Sequence, residues 1–409
     1  MPSPLEPGVD VADESDPSPQ PAVRTKRIVQ HQSGVLPSQD IRDLLRIRDI
    51  DASREIEEDQ IQPASLDLRL GDVAYRVRAS FLPGAGSTVM DRIRDFGMHQ
   101  ISLAGGAVLE RGCVYIVPLM ESLCLRGRMS GLANPKSSVG RLDIFTRLIT
   151  DGAGLFDHVP CGYKGPLYVE VAPRTFSVVV RTGTRLNQLR LRRGNPSATD
   201  ASLRRLHKSV RLVDTEPGKE DIDSGIAITV DLASSSTAST HGAGTHGANV
   251  QGGNVGYRAR RHTDLVDLGR IGHYDAGDFW EPLRAEVDGT VILNPGDFYI
   301  LASKEAVTVP PDHAAEMRAY DTQVGEFRVH YAGFFDPGFG YADCDGTGSR
   351  AVLEIRSFEV PFVLRDGQLV GRLVYERLTG IPDKLYGPTI GSSYQRQGLA
   401  LAKQFKRPS

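Results

Sequence analysis

Cysteine is scarce in this chain: four in 409 residues, Cys113, Cys124, Cys161 and Cys344, far apart and in no paired spacing. That pattern excludes a disulfide framework and fits reduced thiols in a cytoplasmic protein. No apolar run is long enough to cross a bilayer, so no membrane partner is expected. The opening stretch MPSPLEPGVDVADESDPSPQPAV has neither a basic start nor an apolar h-region, which argues against secretion. It reads as a disordered acidic, Pro-rich tail over residues 1–33. An excess of charge is missing too: 48 Lys and Arg against 51 Asp and Glu leave a formal net charge of -3. Nothing here draws the chain globally to nucleic acid, and any anion site must be local.

What is present is length and β-forming sequence. A chain of this size exceeds one ordinary core, so two domains are expected. GVLPSQDIRDLLRI predicts a short helix capped by Ser38, with Ile41, Leu44 and Leu45 on one face. Beyond it, runs such as CVYIVPL, LYVEVAP, FSVVVRTG, TVILNPG, FYILAS and AVLEIRS are rich in β-branched and aromatic residues and punctuated by Gly and Pro. A mainly β fold with a few short helices follows.

The chain also repeats itself. VLERGCVYIVPLMES matches ILNPGDFYILASKEA, pairing Gly112 with Gly296, Tyr115 with Tyr299 and Glu121 with Glu305, a shift of 184. YVEVAPRTFSVVVRTGTRLNQL matches VLEIRSFEVPFVLRDGQLVGRL at the same shift, pairing Glu170 with Glu354, Arg181 with Arg365 and Gly183 with Gly367. Two strand blocks in one register point to a tandem duplication. ASLDLRLG and AITVDLA resemble each other upstream and mark where each copy starts. The division is therefore a first unit over 34–195, a connector over 196–224, a second unit over 225–385 and a closing tail over 386–409. The connector carries a helix with Leu203, Leu206 and Val210 on one face. Residues 233–256, Ser/Gly/His-rich, read as a flexible loop within the second unit.

One short stretch of the first copy concentrates charge and hydroxyls: ANPKSSVGRLDIFTR. Lys136 and Arg141 supply fixed positive charge, Ser137 and Ser138 short donors, and Gly140 room for close approach, a set suited to phosphate. A solvated Lys-Ser-Ser turn is the plainer alternative, since the spacing is not that of a P-loop. The second copy reads AYDTQVGEF there, keeping Val-Gly and losing the cations. Instead it carries VHYAGFFDPGFG and then Glu354 on an apolar strand. Such a glutamate is either poorly solvated, with a pKa raised toward that of a proton shuttle, or an edge residue in a salt bridge.

PASLDLRLG, PKSSVGRL, VHYAGFFDPGFG, VLEIRS, LRDGQLVGRLVYERL and LYGPTIGSSYQRQGL, in this order, resemble the dCTP deaminase family of the dUTPase-like superfamily, in its long tandem form. The resemblance implies two dUTPase-like distorted β-barrel or jelly-roll units, with sites where neighbouring units meet. It implies hydrolytic deamination of dCTP to dUTP and ammonia, in the supply of pyrimidine deoxynucleotides. Carried over by motif, Ser137 and Arg141 act with catalytic Glu354, and Glu170 is the alternative base. Substrate-binding roles fall on Lys136, Ser138, Ala332, Asp336 and Phe339, and on Tyr386, Tyr394 and Gln397 of the tail. Lys136 stands where the family usually has arginine, exchanging a bidentate fork for a point charge.

Because the first copy keeps the cation cluster and the second keeps Glu354 and the tail, one composite site shared between unlike units, within a chain or across an oligomer interface, favours Glu354 over Glu170. Mg²⁺ is expected to arrive with the triphosphate, and the protein itself supplies no metal ligand. A zinc deaminase is disfavoured, since Pro160-Cys161 lacks a second cysteine three residues on. The resemblance further implies a trimer-like homo-oligomer and dTTP as an inhibitor. A dUTP pyrophosphatase, a bifunctional enzyme and a silent nucleotide-binding regulator are the rival readings.

Overall fold

The computed structural model describes residues 33–233, 253–319, 327–329, 333–342, 347–357, 359–387 and 398–406. The architecture is mainly β, in several small sheets with short helices between them. Most of the proposed loop at 233–256, the tail residues 388–397 and Cys344 lie outside the described residues.

Strands 184 residues apart pair alike in the two halves. In the first half the strand Lys164–Pro173 lies between Val114–Cys124 and Ile144–Thr150, with Glu170 opposite Ile116. In the second, Ser349–Ser357 lies between Phe298–Val307 and Phe327–Val329, with Glu354 opposite Ile300. Both pairs are related by the same 184 residues. The paired glycines also match: Gly112 and Gly296 sit at φ 76° and 73°, a left-handed turn that a side chain would strain. Glu121 accepts the backbone N–H of Arg69, and Glu305 that of Thr229, each at 2.8 Å. These twin bonds tie the opening strand of each copy, Leu66–Arg69 and Ile226–Thr229, to its central strand.

The halves share a core. Ala259, Trp280, Phe298, Ala402 and Phe405, all late in the chain, pack with Tyr115, Phe176 and Val178 of the first half. The short strand Val266–Asp267 adds in parallel to Val178–Val180. Arg190 of the strand Arg185–Arg193 is fully buried and donates to the carbonyls of Ala315 at 3.1 Å and Phe335 at 3.4 Å. Arg192 pairs with Glu376 at 2.9 Å. These contacts join one half to the other, so residues of both can line one site.

Two local expectations change. The first helix spans Ser38–Arg46, but the cap position is Pro37, already extended at ψ 170°. Ser38 therefore falls inside the first turn, and its hydroxyl donates to Asp383 instead of capping. The amphipathic helix Val89–Phe96, closed by a reciprocal Thr88–Asp91 capping box, was not expected among strands. The connector helix forms over Asp200–Ser209, with Thr199 accepting the N–H of Ser202 and Leu203 buried. No helix among the described residues is long and apolar enough to cross a membrane.

Candidate active site

The strand Met129–Pro135 ends at a proline, and Lys136 stays extended before a single helical turn, Ser137–Gly140. The turn closes through Val139 N–H to Lys136 O at 2.8 Å and Arg141 N–H to Ser137 O at 3.1 Å. It aims Ser137 and Arg141 across the seam between the halves. From the other side, strand alternation sends Leu353 and Ile355 into the second half's core and leaves Arg350 and Glu354 facing the seam.

Between them lies a cleft of about 730 Å³ including its mouth, lined by Lys136, Ser137, Arg141, Asp336, Phe339, Glu354 and Tyr386 among others. The structure thus brings together, within one chain, the cation cluster of the first copy and the carboxylates and aromatics of the second. Ser138 is buried beside the cleft and is absent from its wall. Ala332, Tyr394 and Gln397 lie outside the described residues.

Electrostatics separate the groups. Burial pushes Glu354 up to about 8, with Arg141 pulling the other way. Glu354 is 4% exposed and, among the described residues, has no cation within ion-pair distance. Burial likewise pushes Asp336 up to about 6, against the pull of Arg190, whose guanidinium stands 3.7 Å away. Both carboxyls hold protons far above the ordinary carboxylate range because water has been removed from around them. Lys136 is paired with the buried carboxylate of Asp67. Arg141 donates to the carbonyls of Ala400 at 3.2 Å and Leu401 at 3.5 Å, which ties the returning C-terminal segment to the cleft. Tyr386 packs on Phe339 at 5.4 Å, and its N–H bonds to Pro337 O at 2.7 Å.

Glu170 is held elsewhere. It is 1% exposed and ion-paired with Arg147 at 2.6 Å, away from the residues that line the cleft. Three residues at the site escaped the sequence reading: Asp67, Arg190 and Arg350. Asp67 and Arg190 alternate with leucines in LDLRL and LRLRR, where a polar residue reads as the wet face of a strand. The second copy, covering the first, turns that face inward. Among the described residues no three His, Cys, Asp or Glu side chains gather to hold a metal.

Two family models cover this chain. The "2'-deoxycytidine 5'-triphosphate deaminase (DCD) N-terminal domain" matches residues 32–195, and the C-terminal domain of the same family matches 199–405. A Halobacterium salinarum protein named "dCTP deaminase, dUMP-forming" is 36% identical over 110 residues, 26% of this chain and 52% of that one. A Beutenbergia cavernae protein of the same name is 30% identical over 151 residues, 35% of this chain and 74% of that one. The chain therefore spans between half and three quarters of the length of these relatives. The crystal structure of 2'-deoxycytidine 5'-triphosphate deaminase from Agrobacterium tumefaciens superposes with a TM-score of 0.77 at 53% identity, covering 85% of this chain and 99% of that one.

Proposed function

This chain belongs to the dCTP deaminase family, and on that premise we propose that it converts dCTP and water to dUTP and ammonia in the composite cleft. The observation that carries this reading is the setting of Glu354: buried, lifted to about 8, and facing Arg141 across the seam. Near neutral pH such a carboxyl exchanges protons in both directions. In the proposed reaction Glu354 takes a proton from water as its oxygen bonds to the amine-bearing ring carbon. It hands that proton to the ring nitrogen, then takes the hydroxyl proton of the adduct and passes it to the departing amine, so that C–O forms, C–N breaks and ammonia leaves. Ser137 and Arg141 orient the water and offset charge developing at that carbon.

Lys136 is assigned to the triphosphate, which arrives with its Mg²⁺ as part of the substrate, and Ser138, buried behind the wall, is assigned there by its motif position alone. Asp336 and Phe339 are assigned to the deoxyribose and Tyr386 to the closing side. Ala332, Tyr394 and Gln397 complete the set by their motif positions. Proton transfer is given to Glu354 and no zinc ligand is invoked, because Cys161 has no partner cysteine at the required spacing. Trimer-like assembly and inhibition by dTTP belong to the same proposal.

A second reading, in which dUTP goes on to dUMP and pyrophosphate, is favoured by the dUMP-forming names of the relatives. Incubation with dCTP and identification of products decides: dUTP with ammonia supports deamination alone, and dUMP with pyrophosphate supports the two-step enzyme. Nucleotide binding without any product would overturn both and leave a silent binder.

A further inference from the structure

The first half contains a second copy of the carboxylate side of the cleft, and it is already filled. Glu170 holds the position equivalent to Glu354, opposite Ile116 where Glu354 is opposite Ile300. Asp157, in GLFD as Asp336 is in GFFD, precedes Glu170 in the chain, and burial lifts it likewise, to about 7. The difference lies on the neighbouring strand, where Arg147 is the direct partner of Glu170.

The guanidinium of Arg147 reaches Glu170 Oε1 through Nη2 at 2.6 Å and Nε at 3.2 Å. Its Nη2 also donates to Ser80 Oγ at 2.9 Å. Its flat face lies 3.5 Å from the Phe156 ring centre and 4.7 Å from that of Phe145. Glu170 Oε2 is buried and, among the described residues, has no hydrogen-bond partner. A carboxylate beside an aromatic face is what a site for a planar amidinium presents to its ligand, and the flat N–C–N edge of Arg147 fills it from within the chain.

We propose that Arg147 is an internal surrogate ligand: it occupies the first half's copy of the carboxylate site, and removing it uncovers a second site selective for planar amidinium cations. A ring-protonated aminopyrimidine offers the same pair of N–H groups, which is the chemical link between this pocket and the cleft at Glu354. One nucleotide site per chain follows, and that count rests on the proposed deaminase activity; the cation selectivity does not.

The test uses the full chain and methylguanidinium as probe. Arg147→Ala should bind one methylguanidinium per chain by calorimetry and gain thermal stability as the probe is added. Wild type and Arg147→Ala with Glu170→Gln should do neither. Turnover of dCTP by Arg147→Ala should stay within twofold of wild type. Folded Arg147→Ala that ignores methylguanidinium, or wild type that binds it equally, overturns the proposal. Should the variant fail to fold alone, refolding decides. Recovery with millimolar methylguanidinium and not with methylammonium supports the surrogate, and recovery with both or neither refutes it. Failure of dCTP turnover in wild type would remove the deaminase reading and leave these binding outcomes to stand separately.

Discussion

Replacing Glu354 with glutamine should stop turnover and stabilise the fold at alkaline pH. Glu354 ordinarily titrates near 4.5 and is pushed up to about 8 by burial. An acid raised in this way binds more protons folded than unfolded, so its stabilising contribution is present below about 4.5 and is lost as pH rises through about 8. The gap corresponds to at most about 5 kcal/mol above pH 8, and to about 1 kcal/mol near pH 5, at ~1.4 kcal/mol per pH unit. Glutamine keeps the shape and carries no charge to desolvate. Urea unfolding of Glu354→Gln and wild type at both pH values measures the difference directly. The same titration controls activity if Glu354 must accept a proton. Wild-type kcat/KM for dCTP should rise roughly tenfold from pH 6 to pH 7 and about fivefold more by pH 8. A glutamine variant equally shifted in stability at both pH values, or a flat activity profile across this range, would refute the reasoning.

Arg141 is the cation that opposes the upward shift of Glu354, so Arg141→Gln should move the activity midpoint to higher pH as well as slowing turnover; an unmoved midpoint in a still-active variant contradicts the coupling. Arg190→Met leaves Asp336 without its buried cation and Glu376 with Arg192 alone, and should cost about 3 to 5 kcal/mol in urea unfolding, with less than ~1 counting against its role between the halves. Phe405→Ala empties a cluster shared with Tyr274, Phe279 and Trp280 and should cost about 3 to 4 kcal/mol. Because the same segment accepts hydrogen bonds from Arg141, activity should fall with it; full activity in a destabilised variant would separate the two.

The 184-residue offset was legible because β pairing preserves register: Glu170 and Glu354, Gly112 and Gly296, Tyr115 and Tyr299 could be matched by eye, and the hydrogen bonds of the glycine and tyrosine pairs match in space. Tyr115 accepts the N–H of Glu110 at 3.1 Å, and Tyr299 that of Asn294 at 2.8 Å. That Lys136, Ser137 and Arg141 would meet Asp336, Phe339 and Glu354 was also readable, as complementary losses in the two copies. What stayed hidden were contacts between distant segments. Nothing in LRLRR marks Arg190 as a buried cation, because its burial depends on the second half lying over that strand. ALAKQF shows no sign that Ala402 and Phe405 complete the first half's core. Arg147 reads as an ordinary polar residue in FTRLIT, and only pairing register shows that it faces Glu170. Ser38 misled through a one-residue ambiguity, since the extended Pro37 had already taken the cap position.

The central claim is that one catalytic cleft is assembled from unlike halves of a single chain, with Glu354 as its proton carrier and Glu170 retired. The most direct measurement is dCTP turnover by Glu354→Gln and Glu170→Gln, assayed side by side at saturating substrate. Loss of at least about a thousandfold in the first, with the second within a few-fold of wild type, is the predicted result. Loss in Glu170→Gln with Glu354→Gln still active would contradict it.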